Sequence, residues 1–165
     1  MIRPLLFAGT GVAWFTLWFV AGPSQTTASM QEWPNVIAFS AVLLALALAL
    51  ATFGRMVGGR WVIRLATIAG AIAGVLSIVN IVEDGFRVDA AFYAFVLGLM
   101  ILEVALAGLA LAIVRSAAGR RRLLAAIPAA TMTAILLFPV VGGPLMLGAW
   151  LAASVLALRD GMPPQ

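Results

Sequence analysis

The sequence predicts an all-α fold, a polytopic bundle of six transmembrane helices with both termini on the cytoplasmic side. Three observations lead there. Hydrophobic residues make up 64% of the 165 positions, against ten basic and six acidic side chains, too little polar coverage for a water-soluble surface. The apolar residues fall into stretches of about the 20 that a hydrocarbon core of about 30 Å needs. Nine of the ten arginines lie in alternate gaps between those stretches, the asymmetry that marks cytoplasmic loops.

The first stretch, 5–22, follows Arg3 and ends in the polar segment 23–31. A basic start, an apolar run and small residues around Ala28 and Ser29 also fit a cleaved secretory signal, whereas Trp14 and Trp18 in so long a run favour a retained helix. The second, 35–53, has no charged residue; Trp33 and Pro34 supply an interfacial anchor and a helix start. A tight basic turn, Gly54 to Arg60, leads through Trp61 into the third, 61–82. Arg64, one turn inside, is near enough to the boundary to snorkel back to the headgroups. An acidic gap, Glu83 to Asp89, in which Gly85 ends the helix, precedes the fourth stretch, 90–114, with Tyr93 near its outer end and Glu103 in its middle.

After four arginines between Arg115 and Arg122, residues 123–158 carry no charge. One helix of that length would run about 54 Å at 1.5 Å per residue, so it must fold back. The segment Pro139-Val-Val-Gly-Gly-Pro144 is the natural turn, giving spans at 123–138 and 145–158. The last is short, so five spans, or a re-entrant final hairpin, stands as the alternative. Arg55 to Arg60 and Arg115 to Arg120 share the form Arg-x-x-x-Gly-Arg, a weak repeat of the kind that apolar sequences produce by chance. The whole chain reads as one transmembrane domain in the plasma membrane.

Small residues four apart allow helix backbones to approach in lipid. Ala66, Gly70 and Gly74, then Ala126, Ala130 and Ala134, then Ala149, Ala153 and Ala157 form such stripes, read as packing faces inside the bundle; a dimer seam at Gly70 and Gly74 is the other reading.

The chain contains no His and no Cys, which removes imidazole bases, thiolate nucleophiles and the usual zinc or haem ligands. No cofactor and no metal are expected, and the outer carboxylates around Glu83 lack regular ligand spacing. The pI of about 11.4 reflects loop arginines that set orientation, so nucleic acid is not an expected partner. Membrane lipids are, with a homo-oligomer or a membrane-protein partner left open. An intramembrane enzyme acting on lipid is the remote reading.

Glu103 is the sharpest candidate, because an acid at mid-membrane costs about 3 kcal/mol on insertion scales and stays only when protonated, paired or wetted. Thr131 and Thr133, with Thr16, are its expected polar neighbours, and Pro128 bends the fifth span beside it. Trp14 and Trp150, near mid-depth, complete a candidate ligand-binding set of Glu103, Thr131, Thr133, Trp14 and Trp150. The plain alternatives are packing glue for the acid and packed core for the indoles. The function expected is a non-enzymatic small carrier or ligand-responsive membrane component, with a structural or regulatory subunit of a membrane complex as the alternative.

Overall fold

The computed structural model describes residues 2–20 and 33–160; the signal-cleavage reading at Ala28 and Ser29 falls outside them. Among the described residues six α-helices follow one another: α1 Ile2–Val20, α2 Trp33–Val57, α3 Arg60–Asn80, α4 Asp89–Ser116, α5 Ala126–Leu136 and α6 Gly143–Asp160. Among the described residues there is no strand. Five helical stretches among them are long and apolar enough to cross a membrane: Ile2–Val20, Trp33–Val57, Arg60–Gly85, Asp89–Ser116 and Val140–Arg159.

The remaining segment differs from a uniform span over 123–138. It opens as a tight 3₁₀ helix, Gly119–Ala125, becomes α-helical for the 11 residues of α5, and ends in one wide π turn, Phe138–Gly142. Pro128 explains the late start. It stands in the first turn of α5, where a missing N–H and a fixed φ are tolerated, rather than as a kink in mid-span. The predicted fold-back between Pro139 and Pro144 is where the chain reverses.

Each helix packs against its neighbours in sequence, and α6 closes the ring against α1. Specific contacts fix the alternation. Along α1, Trp14 meets Phe39 of α2, the Thr10 hydroxyl lies 3.4 Å from the Ala45 carbonyl, and Phe7 meets Phe53, so α1 and α2 are antiparallel. Gly143 lies against Trp18, Gly11 against Trp150, and the Ser154 hydroxyl donates to the Pro4 carbonyl at 2.9 Å. Helix α6 therefore runs back along the whole of α1.

The α2–α3 seam is the tightest. A Cβ at Gly70 would stand 2.7 Å from the Ala47 carbonyl oxygen, and one at Gly54 would overlap Ala66. The Gly70 stripe is thus spent inside the bundle, as the packing reading expects. Its buried face is Ala66, Gly70, Ala73, Ser77 and Asn80, alternating steps of four and three, the 3.5-residue period that keeps a left-handed pair in register. Towards the C-terminal end of α3 the stripe turns polar. Ser77 donates to the Ser40 carbonyl at 2.7 Å, and the Asn80 amide donates to the Ser40 hydroxyl at 3.0 Å and the Val36 carbonyl at 3.3 Å. Such interhelical bonds contribute about 1 kcal/mol each in lipid. Beyond them α3 widens into a π turn, Ile81–Gly85, and Arg87 reverses the chain at φ 55°.

Leu43, Leu46, Leu50 and Phe53 of α2, Leu102, Leu106 and Leu109 of α4, and Trp150 of α6 are fully buried and fill the centre of the ring.

Candidate functional site

Glu103 stands in the middle of α4, half-buried. The fully buried stripe of this helix is Leu102, Leu106, Leu109 and Ile113, and at 100° per residue Glu103 lies roughly a quarter-turn round from it. The contacts of Gly98 with Leu76 and of Gly108 with Leu65 mark the flank that meets α3, and Glu103 is on the opposite flank. Exposed Met100, Val104 and Leu111 continue the surface beside it. No hydrogen bond or ion pair reaches its carboxyl among the described residues.

None of the other four residues bonds to this carboxyl among the described residues. Thr131 is fully buried, but its hydroxyl donates to the Ile127 carbonyl of its own helix at 2.9 Å; Thr133 does the same to Ala129 at 3.0 Å. Both hydroxyls answer the backbone acceptor four residues earlier, the local option open to any helical Thr. Thr16 is exposed on α1. Trp150 is enclosed by Phe7 and Phe53, at ring-centroid distances of 5.6 and 6.1 Å, and its indole N–H points at the Met146 sulfur 3.1 Å away. Trp14 lies towards the other end of the bundle, edge-on to Phe138 at 5.9 Å. The two indoles thus occupy opposite halves of the core. Among the described residues the buried Nε1 atoms of Trp14 and Trp18 have no acceptor, an unusual cost for a donor that normally finds a partner when buried.

The two ends of the bundle differ sharply in charge. At one end lie the start of α1, the turns 57–59 and 116–121, and the end of α6. Arg3, Arg55, Arg60, Arg64, Arg115, Arg121, Arg122 and Arg159 are all exposed there. Arg64, one turn inside α3, folds back over the Trp61 ring, 5.4 Å from its centroid. The glycines of the two Arg-x-x-x-Gly-Arg segments, Gly59 and Gly119, both have positive φ, 86° and 55°, and their turns line one cavity of about 570 Å³. The opposite end carries Arg87 with Glu83, Asp84 and Asp89. Among the described residues no group of three or more acidic or other ligating side chains is arranged to hold a metal ion.

Sequence reasoning missed the Ser40–Ser77–Asn80 lock and a groove between α5 and α6. The groove has a volume of about 560 Å³ and runs from Arg121 and Arg159 to Ala130 and Gly148. The lock was legible, since Ser77 and Asn80 extend the small-residue stripe of α3. The groove was not, because it exists only where two small-residue faces diverge.

Comparison with protein-family models, with curated proteins and with solved structures found no match.

Proposed function

We propose that this chain is a non-enzymatic component of the plasma membrane, crossing it six times with both termini in the cytoplasm, and acting as a structural or regulatory subunit of a membrane complex. Two features support six crossings. Helix α6 follows the full length of α1 in the opposite direction, and the arginines concentrate at the end where α1 begins and α6 finishes. The 3₁₀ segment, α5 and the π turn together supply the intervening passage.

One observation carries the subunit reading: the Glu103 carboxyl, half-buried at mid-helix on the flank of α4 turned away from α3, has no hydrogen-bond or ion-pair partner among the described residues. A charge at that depth is unfavourable by about 3 kcal/mol or more, so the group is neutral or is met by a donor from outside the chain. A polar group from a neighbouring membrane helix is such a donor, and one interhelical hydrogen bond with a carboxyl partner contributes about 1 kcal/mol. The carrier reading needs polar groups that bond to the acid, and among the described residues the Thr131 and Thr133 hydroxyls and the Trp14 and Trp150 indoles make no bond to it.

The test is mild-detergent purification from native membranes of wild type, Glu103→Gln and Glu103→Leu. A stoichiometric membrane partner, or a second copy, is expected with wild type and Glu103→Gln and lost with Glu103→Leu. If Glu103→Leu retains the same assembly, the reading fails. If Glu103→Gln assembles normally yet abolishes a proton-coupled solute flux, the carrier reading replaces it.

A further inference from the structure

We infer that the groove between α5 and α6 is a binding site for one anionic phospholipid of the cytoplasmic leaflet. The acyl chain lies against the helices and the phosphate sits between Arg121 and Arg159. The wall is aliphatic apart from its mouth: Leu123, Leu124 and Ile127 on one side, Ala149, Ala152 and Leu156 on the other, with the two arginines at one end. Both arginine side chains are exposed at that mouth. A cavity of about 560 Å³ is within the range of about 300 to 1,000 Å³ that holds small-molecule ligands.

Length decides what kind of ligand fits. From Arg159 back to Gly148 is eleven residues of α6, about 16 Å at 1.5 Å per residue. That matches half of a hydrocarbon core of about 30 Å. The groove therefore runs from the headgroup boundary to the bilayer midplane, the reach of one leaflet's acyl chain. Small side chains create the space: a Cβ at Gly148 would have nothing within 4 Å. Charge decides the headgroup. Two guanidiniums beside a greasy slot match a phosphodiester joined to a hydrocarbon tail, and basic pockets between helices on the cytoplasmic side bind anionic headgroups in this way. The site is distinct from Glu103, which is on α4, and stands or falls separately from the subunit reading.

The test uses the full chain in neutral detergent, with native mass spectrometry after titration of phosphatidylglycerol or phosphatidylcholine. Wild type is expected to retain one phosphatidylglycerol in preference to phosphatidylcholine. Arg121→Gln with Arg159→Gln should weaken that binding by roughly thirty-fold, the effect of two basic contacts near a membrane surface. Gly148→Leu carries bulk into the slot at a position where the added Cβ meets nothing within 4 Å and should also remove the bound lipid, while Gly9→Leu, at another glycine with open space around its Cβ, should leave it. Inorganic phosphate at millimolar concentration should not displace the lipid. Equal retention of the two lipids, retention by Gly148→Leu, or displacement by phosphate alone would each overturn the proposal. Circular dichroism of every variant distinguishes loss of binding from loss of fold.

Discussion

Replacing Gly70 by Ala isolates the contact on which the α2–α3 seam rests. The added Cβ would stand 2.7 Å from the Ala47 carbonyl oxygen. Ordinary van der Waals contact begins near 3.4 Å, so the two helices must separate by about 0.7 Å, the difference between those two distances. The obstructing atom is backbone, and no rotamer change can move it away. The same seam holds Gly54 against Ala66 and the Ser40, Ser77 and Asn80 bonds, all of which loosen as the helices part. Overpacking of this kind costs about 1 to 3 kcal/mol. Removing a helical glycine returns at most about 1 kcal/mol. The net expectation is a loss of about 1 kcal/mol, within a range of about 0 to 2 kcal/mol, and a deficit of about 1 to 3 kcal/mol against a glycine replaced in open space. Gly9→Ala and Gly148→Ala are the controls, since neither Cβ meets anything within 4 Å; both should be neutral or stabilising by up to about 1 kcal/mol. Reversible unfolding in mixed micelles, with the fraction of SDS as denaturant, reads all three on one scale. If Gly70→Ala proved as stable as Gly9→Ala, close backbone approach would not be what joins α2 to α3.

Further substitutions probe the polar and aromatic interior. Asn80→Ala removes two bonds across the α2–α3 seam and should cost about 2 kcal/mol in the same unfolding assay. Thr67→Ala, whose exposed hydroxyl serves only its own helix at Ile63, should change stability by less than about 0.5 kcal/mol. Trp14→Phe discards a buried N–H that has no acceptor, whereas Trp150→Phe breaks a contact with Met146 in the most enclosed part of the core. Trp150→Phe should therefore be the more destabilising of the two, by at least about 1 kcal/mol, and equal losses would show that the unpaired N–H carries no penalty.

Much of this architecture was written in the length of the apolar stretches. Trp33–Val57 and Asp89–Ser116 extend the expected spans by a few residues at each end, because helices continue into the headgroup region beyond their uncharged core. The segment before the Pro139–Pro144 turn was harder. Apolar content alone cannot distinguish an α-helix from a 3₁₀ lead-in, and only the position of Pro128 hinted that α5 would start late. On α3, a strict spacing of four pointed to Gly74, but the packed face follows Ala73, Ser77 and Asn80 because paired helices wind with a 3.5-residue period. Glu103 illustrates a deeper limit. Helix α4 is apolar on nearly all sides, so its sequence offers no contrast between a core face and a lipid face. The flank that meets α3 is set by Leu65 and Leu76 fitting at Gly108 and Gly98, a matter of shape between helices. For the same reason, equal depth along the chain did not reveal that the Thr131 hydroxyl bonds within its own helix rather than to the acid.

The claim of six crossings with both chain ends in the cytoplasm is tested most directly by labelling. The protein has no cysteine, so single substitutions at Arg55, Arg87 and Arg159 provide unique reporters in intact cells. With a membrane-impermeant maleimide, the position-87 cysteine should react from outside, and those at 55 and 159 only after the membrane is opened. Reaction at 159 from outside, with 55 protected, would reduce the chain to five crossings and contradict the proposed topology.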